Sequence, residues 1–212
     1  MSECKFYLVR HGQSLGNLNR IYLGHTDVDL SELGYKQAEV TAEHLRDVHF
    51  DSIYSSDLKR AHNTALPHAR IRNLPVIDSM GLREIFLGDW ENVPIDELKT
   101  REDFTVGWTK HYGTFKVPGG EGVMEAGERF KNEVERIAKE NPDKCILIAA
   151  HAAVIRIFFA IISGIKPEDV ADAIPFPTNA SYSTLTYRDG KFYPEEYSCD
   201  SHFNDKPQNI LA

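Results

Sequence analysis

Two apolar runs constrain this chain more than anything else in it: Phe6-Tyr7-Leu8-Val9 and Cys145-Ile146-Leu147-Ile148-Ala149-Ala150. Aromatic and β-branched residues without polar interruption read as buried strands, the kind that parallel sheets place beneath helices. Each run stops at a histidine, the first in Arg10-His11-Gly12 and the second at His151. Open α/β sheets put their ligand crevice at the carboxyl ends of such strands. A guanidinium is a permanently charged fork that fits phosphate oxygens, and a neutral imidazole beside it can act as a nucleophile. The same residues also admit a bland reading, a structural histidine beside a surface ion pair.

The rest of the chain alternates helical and strand patterns. Ser31 is a suitable N-cap for a helix to about Arg46, with Ala38, Ala42 and Leu45 at helical spacing. Phe50 to Tyr54 predicts a second strand ending in Ser55-Ser56, and Asp57 can cap a helix whose end Pro67 disturbs. Pro75-Val76-Ile77 predicts a short third strand, and Leu82 to Pro94 a loop. A short helix from Pro94 and a weakly patterned stretch follow, closing on Pro118-Gly119-Gly120; residues 92–122 form a candidate lid or insertion. A helix from about Met124 to Glu140 precedes the second apolar run, and Ala152 to Ser163 is helical up to Gly164. Asp189-Gly190 between two alternating segments signals a hairpin, and the C-terminal tail is polar and expected to be loosely held. The expected architecture is a single α/β domain over residues 1–212, a three-layer α/β/α sandwich with a mainly parallel sheet and an antiparallel edge strand.

Composition narrows the partners. A net charge of -8 over 212 residues argues against a general nucleic-acid binder but permits a local arginine cluster for an anionic substrate. Three cysteines with no CxxC pair disfavour a disulfide framework or a structural zinc site and suit a reducing cytoplasm. Met1-Ser2-Glu3-Cys4 lacks the features of a signal peptide, and Val154 to Ile165 is too short for a membrane span and carries Arg156. The expectation is a cytoplasmic protein without membrane or nucleic-acid partners; monomer and homodimer stay open. Nine histidines form no HExxH-like pair, so no metal is expected.

Strand ends then suggest a constellation. Arg10 and His11 end the first strand, Arg60 lies early in the helix after Ser55-Ser56, and the helix after His151 can offer its amides to an anion. Two arginines and two histidines at one sheet edge would make a dianion-sized pocket. Glu84 is the candidate acid for a leaving alkoxide. Singly, Arg60 reads as a solvated charge, His151 as a satisfied strand-end histidine and Glu84 as a partner of Arg83; only their joint placement favours a site.

Arg10-His11-Gly12-Gln13-Ser14-Leu15-Gly16-Asn17 resembles the RHGxTxxN signature of the histidine phosphatase superfamily, which includes phosphoglycerate mutases. The likeness continues in order through Asp29 to Ala38, Ser55 to Ala65, Leu82-Arg83-Glu84-Ile85, Gly88-Asp89-Trp90-Glu91, Pro118-Gly119-Gly120-Glu121 and His151 to Arg156. By resemblance, His11 is the nucleophile of a phosphohistidine mechanism, and Arg10, Arg60 and His151 hold the phosphoryl oxygens. Asn17 is a further phosphate contact, Glu84 protonates the leaving oxygen and then activates water, and no metal or other cofactor is needed. Ser14, Gly24 and Ala152 join Asn17 as expected substrate-binding positions.

Departures from the pattern carry their own expectations. Ala152 and Ala153 replace glycines, so a required positive φ or close phosphate approach there would weaken the site. Gly122 stands for the serine of PGGES and Asn92 for the glycine after WE, both expected on the substrate side. The implied activity is metal-independent hydrolysis of a small phosphorylated metabolite. The alternatives are a cofactor-dependent phosphoglycerate mutase, for which the lid is short, and a non-catalytic phosphate-binding protein of the same fold. A metallohydrolase is a third class, which insensitivity to EDTA would dismiss. Trp90, Trp108, Tyr112 and Phe115 could wall a bulky leaving group or simply form local core.

Overall fold

A computed structural model describes residues 2–203. Its strands are β1 (Glu3–Arg10), β2 (Ser52–Ser56), β3 (Val76–Ser79), β4 (Cys145–Ala150), β5 (Tyr182–Arg188) and β6 (Lys191–Cys199). The helices are α1 (Leu15–Leu18), α2 (Glu32–His44), α3 (Lys59–Arg72), α4 (Ile95–Leu98), α5 (Val123–Glu140), α6 (Ala152–Ile162) and α7 (Val170–Ala173). The strands form one six-stranded sheet in the order β3-β2-β4-β1-β5-β6. β3, β2, β4 and β1 pair in parallel, and β5 runs antiparallel to both β1 and β6. The expected α/β sandwich with an antiparallel edge is therefore the observed architecture.

The two apolar runs sit side by side at its centre. Because neither run alternates, each feeds both faces: Phe6, Leu8, Ile146 and Ile148 join the core under α5 and α6, while Val9, Leu147 and Ala149 join that under α3. Full burial of such a residue contributes roughly 1.5–3 kcal/mol, so the central strands are the hardest to displace. The register matters for function. Arg10 pairs with Ala150, so His11 and His151 are the next residues on neighbouring parallel strands.

Local expectations fared unevenly. Ser31 caps α2, its hydroxyl accepting from the Gly34 amide. Asp57 does not cap α3; the cap is Leu58 without a side-chain bond, because the Asp57 carboxylate is taken by Arg83 at 2.7 and 2.5 Å. Pro67 does not end that helix, which runs on to Arg72. Arg72 ties the last turn down through the carbonyls of Leu45 and Val48 and the face of Phe50. β2 starts at Ser52 rather than Phe50, β3 at Val76 rather than Pro75, and α5 at Val123. The Leu82 to Pro94 loop holds a 3-10 turn, Gly88–Trp90, and the short α1 takes Asn17 into its single turn.

Between residues 92 and 122 the chain makes α4, a π-helical turn at Asp103–Trp108 and a 3-10 turn at Tyr112–Thr114. Trp90, Trp108, Tyr112 and Phe115 interlock edge-to-face and stacked at centroid distances of 4.8–6.4 Å. The β5–β6 turn is at Asp189-Gly190, both with positive φ. The polar tail expected to be loose lies, beyond Phe203, outside the described residues.

Candidate active site

A cleft with about 490 Å³ of empty space, mouth included, opens at the carboxyl edge of β1, β4 and β2. It is lined by Arg10, His11, Ser14, Asn17, Gly24, Arg60, Glu84 and Ala152, among others. His151 lies against it, its ring 5.2 Å from that of His11 and inclined at 62°. Every residue expected at the site from sequence is thus brought to one place.

The His11 backbone is fixed from three sides. Its amide donates to the Ala150 carbonyl at 2.9 Å, and its carbonyl accepts from the Ala180 amide and from Asn179 Nδ2 at 3.2 and 3.1 Å. Gly12 follows because nothing larger fits: a Cβ there would come 2.4 Å from the Gly34 carbonyl oxygen. The His11 Nδ1–H donates to the Gly12 carbonyl at 2.7 Å, leaving the lone pair on Nε2. Burial, then the charges of Arg60 and Arg10, hold this imidazole well below its ordinary range. Burial and then Arg60 do the same to His151, neither of whose ring nitrogens has a hydrogen-bond partner. Both rings are therefore neutral at physiological pH, and His151 keeps its hydrogen-bonding capacity for something that enters the cleft.

Arg10 and Arg60 are buried, and burial lowers each to about 10, still charged at neutral pH. Arg10 Nη1 donates to the Pro177 carbonyl at 2.5 Å. Arg60 donates from Nη1 to Thr26 O and from Nη2 to Gly24 O, at 2.9 and 2.7 Å. Gly24 adopts φ +49°, and a Cβ there would lie 2.4 Å from Glu91 Oε1. Asn17 Oδ1 accepts from the Ser14 amide and hydroxyl and from Asn179, which turns its amide nitrogen away from these donors. Ser14 thus orients Asn17 besides lining the cleft.

Glu84 corrects one expectation. Its carboxylate accepts from the amides of Ala153, Val154 and Ile85 at 3.1, 3.2 and 3.0 Å. Two amides at the N-terminus of α6, expected to face phosphate, therefore hold this side chain. Ala152 begins that helix, and neither it nor Ala153 has a positive φ, so the anticipated strain does not arise. Asn92 does not line the cleft. It takes φ +62°, the conformation a glycine would favour, and its side chain donates to Thr26 Oγ1. Gly122 is simply the N-cap of α5, its amide donating to Glu125.

Several supporting residues escaped sequence reasoning. Glu91 accepts from the His25 amide and the Thr26 hydroxyl, both at 2.6 Å, and so clamps the loop whose carbonyls hold Arg60. Arg129 donates to the carbonyls of Gly81, Arg83 and Glu84 while paired with Glu121, fixing the Glu84 loop from α5. Glu91 and Glu121 lie inside the quoted motifs, which were the available signal. Asn179 sits in an unpatterned loop and carried none.

The histidine phosphatase superfamily (branch 1) model matches residues 6–200. The chain belongs to that superfamily. This histidine phosphatase is similar to the uncharacterized phosphatase PhoE of Bacillus subtilis, 31% identical over 197 residues, covering 93% of this chain and 95% of the relative. Phosphoserine phosphatase 1 of Hydrogenobacter thermophilus is 35% identical over 184 residues, 85% of each. Among solved structures, a mycobacterial glucosyl-3-phosphoglycerate phosphatase superposes with a TM-score of 0.85 at 26% identity, covering 92% of this chain and 99% of that one. The enzyme is a phosphatase of the histidine phosphatase type. No helix among the described residues is long and apolar enough to cross a membrane.

Proposed function

We propose that this histidine phosphatase hydrolyses a small phosphorylated metabolite through a phosphohistidine formed on Nε2 of His11. The observation that carries the reading is the tautomer: the Nδ1–H bond to Gly12 leaves a free lone pair on a neutral ring set between two guanidiniums. In the first step His11 Nε2 attacks phosphorus in line, the P–N bond forms, and the P–O bond to the alcohol breaks. Arg10, Arg60, His151 and Asn17 take up the charge on the phosphoryl oxygens. Glu84 gives a proton to the departing oxygen, then removes one from the water that cleaves the P–N bond and releases phosphate. In this scheme cationic side chains supply the charge neutralisation, and no metal is called for.

The far end of the cleft bears on the alcohol. Ile21, Tyr22, Leu23, Leu87, Trp108 and Phe176 also line the cleft, and among the described residues Arg10 and Arg60 are its only lining arginines or lysines. Both arginines serve the phosphate, so a leaving group with apolar surface and no second anionic charge fits best. Residues 92–122 would act here as a wall through Trp108, rather than as a large cover that excludes water.

The test is phosphate release in EDTA from a panel of phosphomonoesters, wild type beside His11→Ala, with acid-quenched trapping of the phosphoenzyme. Release and trapped phosphate that both vanish in His11→Ala support the proposal. Release that survives in His11→Ala, or that EDTA abolishes, defeats it.

A further inference from the structure

Arg156 lies on α6, one turn beyond Ala152 and Ala153, but does not itself line the cleft. Its side chain is buried, and its Nε donates to the Ile174 carbonyl at 2.6 Å. Nη2 donates to the carbonyls of Val170 and Ala171 at 3.0 and 2.8 Å. The guanidinium carbon sits 4.4 Å from the ring centre of Tyr112 and 4.2 Å from that of Phe176. Tyr112 in turn meets Trp108 edge-on at 4.8 Å. Trp108 and Phe176 both line the cleft, and the buried cation reaches Phe176 directly and Trp108 through Tyr112.

This arrangement is specific to arginine. A planar fork can bond several carbonyls in its plane while presenting both faces to aromatic rings; an ammonium has three donors and can meet one ring, but has no plane to sit between two. Desolvating the charge is costly, so the contacts it makes must be met closely. The backbone on either side of Phe176 has other anchors. The Tyr197 hydroxyl donates to the Pro175 carbonyl at 2.7 Å, and the Thr178 amide and hydroxyl bind Ser198 and Asp200, both at 3.1 Å. The Phe176 ring itself rests between the Arg156 guanidinium and the Tyr112 ring, whose centre is 5.4 Å away.

We propose that Arg156 is a positioning residue that sets leaving-group specificity by fixing the Phe176 and Trp108 rings, an inference that rests on the phosphatase reading above. At the phosphate end Arg60 is held by the Gly24 and Thr26 carbonyls of another loop, and Arg10 by the Pro177 carbonyl, whose segment Tyr197 and Thr178 also anchor, so Arg156 bears chiefly on the alcohol end.

The experiment compares wild type, Arg156→Lys, Phe176→Leu and the double variant on 1-naphthyl phosphate and ethyl phosphate, with inorganic phosphate as inhibitor. In Arg156→Lys the KM for the naphthyl ester rises about tenfold with kcat held, as expected for lost uniform binding. The KM for ethyl phosphate and the phosphate inhibition constant stay within about twofold. Phe176→Leu gives the same selective loss, and the double variant is no worse than either, because both changes act through one ring. If Arg156→Lys does not fold, Tyr112→Leu removes the opposite ring and must give the same selectivity. Equal losses on both esters, a weakened phosphate inhibition, or full additivity overturns the inference. Absence of phosphate release from either ester by wild type would instead strike the phosphatase reading itself.

Discussion

The imidazoles of His11 and His151 face each other at 5.2 Å in a site already carrying two buried guanidiniums, and both are held neutral there. Burial is the first cause, and Arg60 the largest charge effect, for each ring. A depressed histidine pKa keeps the lone pair of His11 available on the acid side of neutrality. In ligand-free enzyme, imidazole ¹⁵N spectra should show both rings uncharged from neutral pH to well below 6.5. A His11 ring that protonates at or above 6.5 would be incompatible with this account.

Glu91 should matter to phosphate binding although it is reached only through backbone. Its two oxygens hold His25 and Thr26, and the carbonyls of Gly24 and Thr26 hold Arg60. Hydrogen bonds to a charged group contribute ~1.5–3 kcal/mol, so Glu91→Ala is expected to lower kcat/KM by between about tenfold and a hundredfold. Inorganic phosphate should inhibit that variant less well, in parallel. Glu91→Gln, which keeps an acceptor for the His25 amide, should recover most of the loss. A phosphate inhibition constant untouched by Glu91→Ala would refute the link to Arg60.

The Ala152 position separates what the sequence could tell from what it could not. The sheet, the two strand-end histidines and the gathering of Arg60 and Glu84 beside them were legible, because apolar runs and ordered motifs are local signals. The exact register that places Arg10 opposite Ala150 is a pairing between distant segments and left no local trace. Nor did the partners of side chains: Asp57 looked like a helix cap until Arg83 claimed it, and the α6 amides looked free until Glu84 occupied them. The worry over alanine was likewise a matter of φ, which residue type alone does not reveal. With no positive φ at Ala152, Ala152→Gly should leave kcat/KM within about twofold and lower stability by up to ~1 kcal/mol, the helix cost of glycine. A clear gain of activity in thermal-melt-matched preparations would restore the glycine argument.

Acid stability offers a test away from the cleft. His68 is fully buried on α3 beside Phe50, with no hydrogen-bond partner at either ring nitrogen. Burial, with a smaller push from the Arg72 charge, brings it down to about 3 from the ordinary histidine value of 6.5. Between those two pH values the unfolded chain binds a proton that the folded chain refuses, so stability falls as pH falls; above 6.5 the contribution is constant. His11 and His151 add to the same slope, since both are depressed as well. His202, lowered to about 4 chiefly by burial, does too, and His68→Phe removes one of these contributions. In urea titrations from pH 7 to 4 its stability should decline less steeply than wild type, with the gap widening toward acid. Parallel pH curves for the two proteins would mean that His68 is protonated in the fold after all.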